Sequence, residues 1–185
     1  MITIKLAKWL NEKIFYGWSI VLAAGLLTFF GTGFFSYTRG FFLPELAETL
    51  DNGNRFFISL GFSLATMTGA LISPAIGRYL DRGSPKKVIF LGIVINGFFY
   101  LVLSQASSLL AFYMAVSIGL GVGMICMGGF THHRAILNWF DHWRGRAVSV
   151  AVLGASLAGV AMPAVVERLI TNYGWQTTYQ IFALV

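Results

Sequence analysis

Charge is what this chain has least of. Asp, Glu, Lys and Arg make up 11% of its 185 residues, against about a quarter in an ordinary soluble domain. With 57% hydrophobic residues and a mean hydropathy of +0.74, too little polar surface remains to face water on every side. Most of the chain must therefore be solvated by lipid. Cysteine is nearly missing too: Cys126 stands alone, so there is no internal disulfide and no C-x-x-C pair. No G-x-x-x-x-G-K-[ST] loop is present to cradle the phosphates of ATP. Gly119-Leu120-Gly121-Val122-Gly123 lacks the spacing, and the preceding strand, of a dinucleotide loop. His132, His133 and His142 with Asp141 match no zinc spacing, because neighbours on a helix point about 100° apart. They read as interfacial polar residues at a helix end, and no metal or cofactor is expected. No nucleophile–base constellation stands out, so the chain does not read as an enzyme. A formal charge of +6 would fit nucleic acid only if gathered on one face. Here the basic residues lie scattered between apolar runs, and nucleic acid is excluded as a partner.

Long apolar runs are what the sequence has instead. A helix needs about 20 apolar residues to cross a bilayer, which predicts spans at residues 16–37, 56–79, 88–104, 109–131 and 147–166. The run at 16–37 outlasts the h-region of a cleaved signal, about 7–15 residues. A sixth run at 175–185 rises only about 16 Å as a helix, half a bilayer. The expectation is an all-α polytopic bundle of five complete spans and a truncated sixth, part of a longer membrane protein. Ahead of the first span, Ile2, Leu6, Trp9, Leu10 and Ile14 fall at helical spacing among Thr3, Lys5, Lys8, Asn11 and Glu12. Residues 1–15 are thus expected to form a cytoplasmic segment ahead of the half-domain at 16–185, either an interfacial amphipathic helix or a frayed tail.

Basic residues orient the threading. Lys5, Lys8, Lys13, Arg78, Arg82, Lys86, Lys87, Arg134, Arg144 and Arg146 fall on one side, and Arg39, Arg55 and Arg168 on the other. The positive-inside rule then places the N-terminus and the loops at 77–87 and 131–146 in the cytoplasm. The expected location is a cell membrane, either plasma or bacterial inner.

Small residues recur every four positions on three spans: Gly61, Ala65, Gly69, Ser73, Gly77; Ala111, Ala115, Gly119, Gly123; and Ala147, Ala151, Ala155, Gly159, Pro163. Such stripes let helix backbones approach in lipid. They either hold helices together or form sliding surfaces, and Pro74 and Pro163, which bend helices, fit both. No acid or base lies deep in a complete span, where ionisable groups usually mark a pathway. Tyr37 and Arg39, at the outer end of the first span, are candidates to attract an organic anion, with headgroup anchoring the plainer role of Arg39. Asn96 is placed mid-span to bond a neighbouring helix or a ligand. Asp81, among Arg78, Arg82, Lys86 and Lys87, is placed to meet Arg134 or Arg144 and latch the inner loops, or only to fix topology.

Gly77-x-x-x-Asp81-Arg82 followed by Pro85-Lys86-Lys87 resembles the loop between helices 2 and 3 of major facilitator superfamily transporters. Gly83-Ser84 stands where a bulky residue and then glycine are usual. Asn138-Trp139-Phe140 with Arg144-Gly145-Arg146-Ala147, Phe15-Tyr16-Gly17-Trp18 and Tyr173-Gly174-Trp175 are similar to segments of the monocarboxylate transporter and oxalate–formate antiporter group. The resemblance implies the first half of a twelve-helix fold, with helices 1 and 4 lining a central cavity and helices 2 and 5 meeting the missing C-terminal half. It implies a secondary active transporter of small, monocarboxylate-like organic anions working by alternating access, as proton symport or anion exchange. It also implies that the principal anion-binding and proton-coupling residues lie mainly in the other half. The competing expectations are a different cargo, such as a sugar or drug, and a truncated membrane subunit that does not transport.

Overall fold

The computed structural model describes residues 2–140 and 142–185, and of residues 2–15 the backbone only. Every element among them is helical. The amphipathic pattern expected for residues 1–15 rests on side chains outside the described residues.

Helix α1 (Ile2–Thr32) passes directly into a wider π-turn segment at Gly33–Tyr37. The uncharged part of it, Tyr16–Tyr37, has no reason to stop inside lipid. At its far end Thr38 turns its hydroxyl back to donate to the Phe34 carbonyl, 2.6 Å away. The chain then forms α2 (Arg39–Asp51), a helix absent from the expected spans. Phe42, Leu46 and Ala47 give it one buried face, but Pro44 and three acids make the segment read as a loop. Asn54 caps α3 (Arg55–Arg82), accepting from the Phe56 amide at 3.0 Å. A tight turn through Gly83 and Ser84 leads into α4 (Pro85–Ser104). Pro85 suits the first turn because its missing N–H would have no intrahelical partner there. The third span thus reaches 20 residues, three more than the apolar run alone, with Lys86 and Lys87 inside its first turn.

The fourth span is segmented. It comprises α5 (Leu109–Met114), a π segment (Ala115–Leu120), α6 (Gly121–Met127), a break at Gly128 and α7 (Gly129–Leu137). At Gly128 the backbone extends to ψ 179°, in a Gly-Gly pair of low helix propensity. The helix resumes and carries the span six residues beyond its expected end at 131. After the turn at 138–143, α8 (Arg144–Leu184) covers both the fifth and the sixth runs. It is two rods divided at Gly174, whose φ of 77° and ψ of 167° are open only to a residue without Cβ. By length and composition, five helical stretches among the described residues can cross a membrane: Tyr16–Tyr37, Arg55–Arg82, Pro85–Ser104, Leu109–Leu137 and Arg144–Leu184.

Packing differs along the bundle. At the Arg39 end, α2, α3, α4, α5 and the second rod of α8 enclose an aromatic core. Phe42 stacks on Tyr179 at 4.1 Å and Phe34 on Phe182 at 3.9 Å. The Trp175 indole N–H donates to Thr49 Oγ1 across 3.3 Å, tying the second rod to α2. Halfway along, α1 crosses the first rod of α8 so closely that a Cβ on Gly154 would collide with the Gly25 carbonyl oxygen. Near the other end the buried clusters are smaller, Val21, Ala24, Ile136, Phe140, Ala147 and Ala151 in one and Leu80, Val88 and Cys126 in another. Leu22, Met67, Leu71, Phe90, Phe98, Leu110 and Val160 stand exposed, as a surface in contact with lipid requires.

Parts of the small-residue stripes pack against neighbouring helices of this chain, while Gly77 meets nothing. On α3, Gly61 abuts Phe112, and a Cβ on Gly69 would press on the Gly121 carbonyl oxygen, so the first part of that stripe holds α3 to the fourth span. Gly119 accommodates Phe99 and Gly123 accommodates Asn96. On α8 the buried stripe is Ala147, Ala151, Gly154, Ala158, Met162 and Val166. Steps of four residues drift by about 40° per step on a 3.6-residue helix. Ala155, Gly159 and Pro163 have accordingly rotated to half-buried positions, with Gly159 under the Tyr37 ring.

Candidate functional site

The residues singled out in the sequence separate into three places. Tyr37 and Arg39 are exposed at the junction of the first π segment and α2. Asn96 is buried in the middle of α4, 7% exposed. Its Nδ2 donates to Met127 Sδ at 3.0 Å, and its Oδ1 has no partner among the described residues. It borders a cavity of about 290 Å³ with Phe30, Phe34, Tyr100 and Phe182. Neither Tyr37 nor Arg39 lines that cavity, so the structure does not bring the three together.

The Asp81 group is gathered more closely. Arg134 Nη2 lies 4.0 Å from Asp81 Oδ1, with the two side chains 48% and 72% exposed. Both border a cavity of about 310 Å³ together with Gly77, Pro74, Ile125 and Phe130. An ion pair this open to solvent is worth about 0–1 kcal/mol. It is a contact that breaks easily. Arg82, Lys86 and Lys87 are exposed and do not line that cavity, Lys86 bordering instead the space between α1 and α4, and Arg144 donates Nε–H to the Phe140 carbonyl at 2.7 Å.

A fourth place was not legible as a site. His132, read from the sequence as interfacial, is 3% exposed and faces α1. The correction has a local cause: the backbone extends at Gly128, and the resumed helix turns His132 toward the first span. Nδ1 lies 3.1 Å from the Met127 carbonyl oxygen, the last residue of α6. Nε2 lies 3.2 Å from Thr28 Oγ1 on α1, whose hydroxyl is in turn 2.8 Å from the Ala24 carbonyl. His133 stands edge-on to His132 with ring centroids 4.8 Å apart, its buried Nε2 unpartnered among the described residues. His142 is exposed.

His132 is the partition between two spaces. On one side is a cavity of about 150 Å³ among α1, the α6–α7 break and α8, reached by Thr28, Thr32, Met127, His133 and Val152. On the other is one of about 460 Å³ between α1 and α4 that extends to Ser84 and Lys86. The signal in the sequence was the pair Gly128-Gly129 interrupting an apolar run just before two histidines. No group of three or more His, Cys, Asp or Glu among the described residues is placed to hold a metal.

A helix bundle with an apolar outer surface and polar groups gathered around a broken span is the build of a polytopic membrane protein. Residues 15–185 match the Major Facilitator Superfamily, and the chain belongs to that family. It is 28% identical over 163 residues to the MFS-type transporter YcxA of Bacillus subtilis, covering 86% of this chain and 40% of that protein. It is 25% identical to the fujikurins efflux protein of Gibberella fujikuroi, over 85% of this chain and 34% of that protein. To monocarboxylate transporter 13 of Rattus norvegicus it is 26% identical, over 87% and 37% respectively. The chain thus spans about two fifths of the length of such relatives. No solved structure matches it.

Proposed function

We propose that this chain forms one half of a secondary active transporter for small organic anions, working by alternating access against a second half of similar build. The observation that carries the reading is the fourth-span break: His132 and His133 sit with Thr28 and Thr32 beside the start of α7, between the first, fourth and fifth spans. The start of a helix bears partial positive charge, and discontinuous spans are where transporters hold ions and anionic substrates. A relative named as a monocarboxylate transporter agrees with that chemistry. Gradients of proton or anion supply the energy in this reading. Tyr37 and Arg39 attract the anion at the outer mouth, while Asp81, Arg134 and the basic residues around them latch the cytoplasmic side. The bias of Lys and Arg toward the 77–87 and 131–146 loops supports a cytoplasmic N-terminus in a cell membrane.

The test is uptake by proteoliposomes holding the intact transporter to which this half belongs. Labelled lactate or oxalate should accumulate saturably, each should be displaced by excess of the other or by unlabelled substrate, and sugars should not compete. Sugar uptake without carboxylate uptake would overturn the reading. A second reading, export of a larger apolar product, is favoured by the roughly 290 Å³ cavity walled by Phe30, Phe34, Tyr100 and Phe182 and by the named efflux relative. Outward movement of an aromatic lipophile that carboxylates do not inhibit would select it. If neither solute moves and only membrane insertion is seen, a non-transporting subunit is the better description.

A further inference from the structure

The polar contacts of His132 contain a counting problem. Three short links run in series: Met127 carbonyl to Nδ1 at 3.1 Å, Nε2 to Thr28 Oγ1 at 3.2 Å, and Thr28 Oγ1 to the Ala24 carbonyl at 2.8 Å. Both ends of the series are carbonyl oxygens, which only accept. A neutral imidazole brings one N–H and the threonine one O–H, two hydrogens for three links. An imidazolium brings two N–H groups, and with the hydroxyl all three links are filled in one direction. Nδ1–H donates to Met127, Nε2–H donates to Thr28, and Thr28 donates to Ala24.

We propose that His132 is a proton-binding site, and that the bound proton fastens the start of the resumed fourth span to the first. The step is balanced by one proton from water. It adds to the Nε2 lone pair, and the Thr28 hydroxyl swings its hydrogen from Nε2 to the Ala24 carbonyl. On release the proton returns to water, and the hydroxyl must choose between Nε2 and Ala24. One link between helices, or one within α1, is then lost.

The surroundings pull both ways on a charged ring. Burial, the neighbouring His133 and the partial positive charge at the start of α7 oppose it, whereas Met127 ends the rod that begins at Leu109 and its carbonyl end favours a cation. The groups facing His132 are few. From α1 come Ala24, Leu27 and Thr28, and from α8 Val152, none of them titratable. From its own helix there is His133, and from α4 Lys86 lines the same larger cavity. Among the described residues no carboxylate lines either cavity that His132 borders. Among them, the proton is held by hydrogen bonding. The larger cavity, reaching Ser84 and Lys86, gives water a route from that end.

This deepens the transport reading by naming its coupling ion, and the test keeps the two apart. The chain, in lipid nanodiscs with ¹⁵N-labelled histidine, is titrated by NMR through the range in which imidazole ionises. His133→Gln and His142→Gln variants assign the signals. His132 should gain a second N–H proton in acid. Thr28→Val, which keeps shape but removes the hydroxyl, should lower its proton affinity about tenfold, the size expected for one hydrogen bond to a charged group. Thr28→Ser should titrate like the parent, which also controls for folding. A His132 that never becomes doubly protonated, or one titrating identically in Thr28→Val, overturns the proposal. A His132 that titrates as expected in a transporter indifferent to organic anions upholds the proton site and overturns the cargo.

Discussion

The two ends of this bundle are built from different materials. Around α2 and the second rod of α8, aromatic rings stack at 3.9 and 4.1 Å and an indole is bonded across to Thr49. Around Asp81 there is a glycine-broken span, an exposed ion pair at 4.0 Å and cavities of about 310 and 460 Å³. Dense apolar contact gives cooperative stability, whereas sparse contact and solvated polar links open locally. The comparison teaches that the Arg39 end is the more firmly packed, and local opening is expected first at the Asp81 end.

Substitutions should expose that asymmetry. The largest effect is expected from Phe42→Ala, which removes a ring buried against Tyr179 and Phe182. It should cost about 3–5 kcal/mol of unfolding free energy, measured by denaturant titration in mixed micelles. A cost near zero would break the comparison at once. Gly154→Ala, at the α1–α8 crossing between the two ends, should cost about 1–3 kcal/mol by forcing the backbones apart. Trp175→Phe keeps the ring stack and removes only the donor to Thr49. It should cost about 0.5–1.5 kcal/mol, and amide exchange in α2 should quicken accordingly. The smallest effect is expected at the ion pair. Asp81→Asn should change stability by less than about 1 kcal/mol while altering which face of the transporter an impermeant thiol reagent reaches. A larger loss of stability there would mean that the link is structural and not a latch.

The spans were legible because a bilayer admits only long apolar helices, and runs of that length are counted directly from the residues. What escaped depended on geometry that counting does not carry. α2 was concealed by Pro44 and by Glu45, Glu48 and Asp51, although Phe42 and Leu46 were already spaced for one buried face. The π segments in the first and fourth spans have no compositional mark. The α8 stripe was visible as small residues, but a fixed step of four does not follow a real helix past about two turns. His132 was set at the interface because the apolar run ends near it. Only the extended backbone at Gly128 shows that the ring turns inward.

One achiral carbon, at Gly174, joins the two rods of α8. The start of the first rod, Ala147 and Ala151, is aimed by α1, while its end at Val166 joins Trp175, Tyr179 and Phe182 in the aromatic core. The bend therefore works as a coupling that lets the fifth and sixth runs lie at different angles on one shared core.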